Sequence, residues 1–272
     1  MEGSNDMLSL TLLKMNLKKN YMLMIVFSAV LVMYMAVMVW MFNPDDIEQL
    51  MSMLDLFPAD LMKAMGFSSL ITDFTSYLAS WLYGLLMFGF PMVYCILLSN
   101  RLVARMVDNN SFAYLLSTPN SRSKIILTQG AYAILSLLAL FVVLFGTGVF
   151  FSALILPGLL DVPAFFQLNV TTFLLNLLVM MICFFASCLF NDSRSALGVG
   201  SAIPIAFLLM NMLGGASEQA EILQRLSIYG LYDPVDLVQG KSVWFCNLGY
   251  TLAALLLFSG SVLVFRKKQL PL

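Results

Sequence analysis

Most polar side chains that could do chemistry in this chain lie where chemistry is hard to do. Asn176, Asn211, Asn247, Thr128 and Gln129 stand inside or at the edges of long apolar runs. In hydrocarbon such groups usually bond to a neighbouring helix, although Asn176 and Asn211 are also candidates for lining a path and weakly coordinating what moves through it. A second feature has the opposite character. Within the polar stretch Leu98 to Lys124, which carries Arg101, Arg105, Arg122 and Lys124, lies the apolar patch Phe112-Ala-Tyr-Leu-Leu116. Positions 112, 115 and 116 share one face of a helix. Ser111 is suited to cap that helix, and Pro119 to end it. An amphipathic element held between two apolar runs, and too short to insert in lipid, suits docking into a groove of a soluble partner. The simpler alternative is a turn packed on the chain's own bundle.

Other chemistry is excluded by what the sequence lacks. There is no histidine, which removes the commonest neutral-pH base and metal ligand. Cys95, Cys183, Cys188 and Cys246 all lie in or beside apolar runs and read as small core residues, so no metal and no cofactor is expected of this chain. No G-x-x-x-x-G-K-[ST] occurs, so the chain has no such loop with which to hold ATP. No acid pair or Ser/His arrangement supports hydrolysis, and an enzyme is not expected. No apolar run has an Asp, Glu, Lys or Arg well inside it, which lowers the prospect of an ion-coupled pump.

The elements that position these residues are membrane spans. The chain is 61% apolar and 11% charged, with mean hydropathy +0.91, and its apolar residues fall in blocks long enough to cross about 30 Å of hydrocarbon as helices. A β-barrel would need short segments of alternating polarity. The fold expected is therefore all-α and integral to the membrane, one transmembrane domain over 1–272 with spans at about 21–42, 78–98, 125–151, 173–190, 196–212 and 243–265. Leu8 to Lys19 has Leu10, Leu13 and Leu17 at helical spacing beside three lysines, and reads as an interfacial helix leading into span one, with a frayed extension of that span as the alternative. Short helices are expected over 47–54 and 61–65, and another at Ile222 to Leu226. Pro91 and Pro204 predict bends within spans two and five, tolerated where neighbours satisfy the freed carbonyl. In span five Gly198, Ala202 and Ala206 recur every four residues beside Ala196 and Gly200, which permits close approach of another helix. Internal packing and a subunit interface both fit. Glu2 and Asp6 precede the first long apolar block, which lacks a cleavage pattern, so no cleavable signal is expected.

Charge sets the orientation. Eleven of the 14 Lys and Arg residues fall on the side of the two termini: Lys14, Lys18, Lys19, Arg101, Arg105, Arg122, Lys124, Arg194, Arg266, Lys267 and Lys268. Only Lys63, Arg225 and Lys241 fall on the other. The positive-inside rule puts both termini and the 98–124 stretch in the cytoplasm.

Taken together, these residues resemble the permease subunit of bacterial ABC-2 type exporters. Tyr114-Leu-Leu-Ser-Thr-Pro119, Ser121-Arg122 and Gln129 carry the resemblance around the polar stretch. Phe57 to Leu78, Asp192-Ser-Arg194 and Tyr229 to Gly240 extend it over most of the chain. The family's acidic pair falls here at Met106-Val107, leaving Asp108, and its glycine falls at Asn110, a residue that tolerates left-handed backbone angles. The resemblance implies a type V exporter-like fold, with the N-terminal amphipathic segment as an elbow helix and Ser111 to Ser117 as a coupling helix. Its coupling residues would be Asp108, Asn110, Ser111, Phe112, Tyr114, Leu115, Leu116, Pro119 and Arg122. Short external helices over Leu213 to Ser242 would close the outer gate. It implies two permeases, identical or homologous, meeting through spans one and five, with two ATP-binding subunits that supply ATP and Mg. The setting would be the bacterial cytoplasmic membrane, with lipid but no nucleic acid as a partner. Twenty methionines make adaptable surfaces, which favours an amphipathic or hydrophobic cargo (peptide, lipid-like or drug) over a small ion. A six-span secondary transporter or channel, and a non-transporting membrane scaffold or sensor, are the alternatives.

The orientation is testable directly. After replacement of the native thiols, cysteines at positions 48 and 218 should react with an impermeant maleimide in intact cells, and those at 111 and 266 should be shielded. Labelling of 111 with protection of 48 would invert the topology.

Overall fold

The computed structural model describes residues 8–44, 56, 73–109, 111–116, 121–216 and 220–268, with the side chains there other than those of Leu85, Ala113 and Leu116. Among these residues all regular structure is helical, and six helices are long and apolar enough to cross a membrane. In chain order come α1 (Leu10–Met41), α2 (Phe74–Leu78), a π-helical segment (Ala79–Leu86), α3 (Met87–Leu102), and the short α4 (Ala104–Asp108) and α5 (Ser111–Leu116). Then follow α6 (Arg122–Ile155), α7 (Val162–Leu189), α8 (Ser193–Ala216), α9 (Glu221–Leu226), α10 (Pro234–Val238) and α11 (Trp244–Lys267). The helices expected over 47–54 and 61–65 lie outside the described residues.

Two boundaries differ from expectation, each for a local reason. The separate interfacial helix over 8–19 is instead the first part of α1. The Ser9 hydroxyl accepts the Leu12 N–H, and no Gly or Pro interrupts the 32 residues that follow. At 1.5 Å per residue α1 is about 48 Å long, well beyond about 30 Å of hydrocarbon. The 34 residues of α6 overshoot similarly, and the surplus turns of the two helices pack together. There the Ser9 N–H donates to Thr128 Oγ1 at 3.0 Å, and Asn16 Nδ2 donates to Gln129 Oε1 at 2.6 Å. Two amides that would be costly in lipid satisfy one another.

The fourth span starts at Val162, not near 173. Asp161 caps it by accepting the Ala164 N–H at 3.1 Å, and Pro163 sits in the first turn, where its missing N–H costs nothing. Asn169, Thr171 and Thr172 then sit buried within the helix, and Thr172 hydrogen-bonds the Tyr232 hydroxyl. Before it, the turn after α6 uses Gly158 at φ +83°, a backbone angle that side chains disfavour.

α7 is a central helix of the bundle. It contacts α3, α6, α8, α10 and α11, and more than half of its residues are buried, whereas few of those of α8 are. It also resolves both in-span prolines. Pro91 in α3 has no N–H to give the Met87 carbonyl, and Asn176 Nδ2 of α7 donates to that oxygen at 3.1 Å. Pro204 in α8 likewise abandons the Gly200 carbonyl, and the Cys183 thiol of α7 donates to it at 3.2 Å. A Cβ at Gly200 would lie 3.4 Å from that of Ala186, so glycine lets α8 approach α7 closely enough for the thiol to reach. The Ser99 hydroxyl of α3 donates in return to the Met180 carbonyl at 3.3 Å.

This arrangement predicts a specific non-additivity. Asn176→Leu should destabilise the fold by about 1–3 kcal/mol, the cost of leaving a buried carbonyl unpaired. In a Pro91→Ala background, where residue 91 again has an N–H for Met87, the same change should cost about 1 kcal/mol less. Chemical unfolding in mixed micelles measures both; equal costs in the two backgrounds would contradict this account of Pro91.

Candidate functional site

The helix ends beside the polar stretch are tied to one another. Asn100 Nδ2 of α3 donates to Ser193 Oγ at the start of α8 at 2.9 Å, and Ser193 Oγ donates back to Asn100 Oδ1 at 3.2 Å. Arg122 at the start of α6 donates to the Lys268 carbonyl at 2.8 Å. The Lys268 ammonium, just beyond α11, donates to the Cys188 and Phe190 carbonyls at 2.9 and 2.6 Å. It thus satisfies carbonyls left over at the C-terminus of α7, where the helix dipole also favours a cation. Burial lowers the Lys268 pKa from its ordinary value, with Cys188 and Asp192 opposing that shift. Asp192 in the α7–α8 turn is held below its ordinary pKa, first by the Ser195 backbone N–H, which donates to it at 2.7 Å.

These ties and the α1–α6 contacts gather the eleven bases at one end of the bundle. None of them makes an ion pair among the described residues. At the opposite end the two described bases are paired, Arg225 with Glu221 at 2.8 Å and Lys241 with Asp236 at 2.7 Å. Among the described residues, the bases at one end therefore have no ion-pair partner and those at the other do.

Between α3 and α6 the chain forms the short elements that the sequence singles out. The helix breaks at Val103 (φ −127°, ψ −73°), resumes as α4 and ends at Asp108, whose side chain is exposed. α5 covers Ser111–Leu116, within a residue of the expected helix, with Ser111 half-buried as its first residue. Asn110 and Pro119 lie outside the described residues, and nothing is described of the Leu116 side chain.

The faces of α5 are distributed differently from the sequence reading. Phe112 is 1% exposed, and its ring lies 5.0 Å from that of Phe265 at the end of α11. Leu115 is half-buried against the same core. Tyr114 is 80% exposed. The apolar patch thus anchors α5 to its own chain, and the tyrosine within it is left exposed. Phe112 pairs with a residue more than 150 positions away in sequence, which helical periodicity cannot reveal. The aromatic–basic tail Phe265-Arg-Lys-Lys268 was the available signal, since Lys268 also lies 5.8 Å over the Phe265 ring.

The remaining candidates separate cleanly. Asn176 is fully buried and donates to the Met87 and Thr172 carbonyls, so its amide nitrogen serves packing within the chain. Its Oδ1, and those of Asn211 and Asn247, are buried without a hydrogen-bond partner. On α8, Ala196, Gly200 and Pro204 are buried, whereas Gly198, Ala202 and Ala206 are exposed. A Cβ added at Gly198 would meet nothing within 4 Å. Of the two interleaved small-residue series, one packs against α7 and the other faces outward.

No protein-family model matches the chain, and no curated protein matches it significantly.

The outward series predicts how an association would fail. Ala202→Leu adds bulk on an exposed face, so the fold of the single chain should be unchanged. If this face meets a second copy, the dimer population in native mass spectrometry should fall roughly tenfold or more, because close approach is lost. An unchanged population would assign the face to lipid.

Proposed function

We propose that this chain is the membrane-spanning permease subunit of an ATP-driven exporter resembling the ABC-2 type, in the bacterial cytoplasmic membrane. In this reading two permeases move an amphipathic or hydrophobic cargo outward, and two separate ATP-binding subunits hydrolyse ATP with Mg. Both termini and α5 face the cytoplasm. The observation that carries the reading is α5, a short helix held between two spanning helices at the unpaired basic end, with an exposed tyrosine at its tip and an aromatic anchor at its root.

The anchor gives the coupling a physical route. Phe112 and Phe265 join α5 to α11, and Arg122 joins the start of α6 to the chain just beyond α11. A push on Tyr114 by a partner would therefore be felt by α3, α6 and α11 together, since close-packed side chains transmit displacement rather than absorb it. The chain itself supplies no nucleotide-binding loop, which is the reason for assigning hydrolysis to a partner. Asp108 and Arg122 flank α5 as polar contacts to that partner, with Asn110, Ser111 and Pro119 shaping the turn. Gly198, Ala202 and Ala206 are the proposed permease–permease seam, and Asn211, half-buried where Asn176 is fully buried and held by two carbonyls, is the better of the two asparagines for the cargo path.

Tyr114 is the residue on which to test the coupling, because its exposure separates docking from folding. Tyr114→Asp would bury an unpaired charge in the partner's groove at about 1–3 kcal/mol or more. Co-purification with the ATP-binding subunit and cargo-stimulated ATP hydrolysis in proteoliposomes should fall together, with the melting temperature of the isolated permease unchanged and Tyr114→Phe near normal. A Tyr114→Asp complex that assembles and responds to cargo normally would contradict the coupling role. Transport persisting without any ATP-binding subunit would instead favour a secondary transporter.

A further inference from the structure

A cleft of about 310 Å³ opens at the basic end between α1, α3, α4 and the start of α5, lined by Lys19, Asn20, Arg101, Arg105, Met106, Asn109 and Ser111. Its three cations make no hydrogen bond or ion pair among the described residues. Arg101 is half-buried, and Lys19 and Arg105 are exposed. Asn20 is already committed, donating to the Asn16 carbonyl at 3.1 Å, so the donors on offer are two guanidinium groups, an ammonium, the Asn109 amide and the Ser111 hydroxyl. Asp108, the acid nearest in sequence, is exposed and is not part of the lining. Three cations converging on one concavity repel each other unless an anion joins them, and planar guanidinium groups suit the oxygens of a phosphate.

Depth and size narrow the ligand. Lys19 lies two residues before the span expected over 21–42, and Arg101 three residues after the span expected over 78–98. At 1.5 Å per residue the cleft stands about 3–5 Å outside the hydrocarbon, at headgroup level. Its volume is at the lower limit of ordinary ligand sites, about 300–1,000 Å³, which suits a headgroup rather than a whole cargo molecule. A second cleft at the opposite end, of about 380 Å³, has Lys241 as its cation, and that lysine is paired with Asp236 at 2.7 Å. Of these two clefts, the one at the basic end has several cations without an ion pair among the described residues and stands at headgroup level.

We infer that Lys19, Arg101 and Arg105 form a phosphate-binding cleft that seats the headgroup of an anionic phospholipid. The lipid bridges α1 to α3 and α4, beside the first turn of α5. This inference does not depend on the exporter reading, because it concerns the chain and lipid alone.

Native mass spectrometry of the detergent-purified full chain tests it, with phosphatidylglycerol, phosphatidylcholine, glycerol 3-phosphate and inorganic phosphate as probes. One phosphatidylglycerol adduct should form at lower concentration than the rest, and phosphatidylcholine, whose choline neutralises its own phosphate, should bind weakly. Arg101→Gln with Arg105→Gln should weaken that first adduct roughly tenfold or more, whereas Arg101→Lys with Arg105→Lys should retain most of it. Arg266→Gln with Lys267→Gln, which removes two exposed bases outside the cleft, should leave it unchanged. Should the double glutamine variant not fold, the exposed Lys19→Gln serves, with a smaller loss expected. Glycerol 3-phosphate or inorganic phosphate binding as tightly as the lipid, with the same variant pattern, would support the phosphate site but overturn the lipid as occupant. Phosphatidylglycerol binding indifferent to the glutamine variants, or weakened equally by the Arg266/Lys267 control, would overturn the site.

Discussion

A carbonyl abandoned by proline inside hydrocarbon has no water to turn to, and the fold is arranged around that constraint. Two spans carry such a proline, and one helix, α7, answers both. Asn176 reaches the Met87 carbonyl and Cys183 reaches that of Gly200. Helix association in lipid has no strong hydrophobic drive, so close packing and a few well-placed hydrogen bonds have to hold the bundle. By meeting both freed carbonyls, α7 fixes α3 and α8 on its two sides. It is also the helix whose last carbonyls Lys268 caps, so that the end of α11 is held by the same element. The bends at Pro91 and Pro204 are thereby given fixed partners.

From this interior the two ends diverge in character. The end with two described bases has them paired with acids, and two of its tyrosines, Tyr229 and Tyr232, pack inward around Phe88. The end with eleven bases leaves them without ion pairs among the described residues and ties its helices through amides, hydroxyls, and the Arg122 and Lys268 bonds to backbone carbonyls. An unpaired basic surface costs little where it faces water and anionic headgroups, and it attracts anionic partners over about a Debye length, roughly 8 Å at physiological salt. In the exporter reading this is the end that receives force, and in the lipid inference it is the end that holds a headgroup. The two uses are compatible because Tyr114 is exposed on α5 while the cleft opens beside its first turn.

Much of this was legible from the residues. Long charge-free runs announce six spans because hydrocarbon excludes charge, and an α5-like helix follows from the spacing of Phe112, Leu115 and Leu116 between Ser111 and Pro119. Other features needed three dimensions. The continuity of α1 was hidden because the lysines at 14, 18 and 19 look interfacial, whereas Asn16 and Asn20 on the neighbouring face are buried, Asn16 against Gln129 of α6. The early start of α7 was hidden because Asn169, Thr171 and Thr172 look too polar for a span until their buried surroundings are seen. The inward turn of Phe112 was hidden because its partner, Phe265, lies at the far end of the chain. In each case a local pattern identified which residues were amphipathic, and a contact between distant segments decided what their apolar or polar side met.

The central claim is that the tip of α5 meets an ATP-hydrolysing partner. Site-specific photocrosslinking in cells tests it most directly, with a benzophenone amino acid at position 114, set against the same probe at Leu263, an exposed position on α11. The account predicts a covalent adduct at 114 whose partner is a nucleotide-binding subunit by mass spectrometry, and no such adduct at 263. Adducts at 114 only to lipid or to the chain itself, with the protein folded and in the membrane, would contradict it.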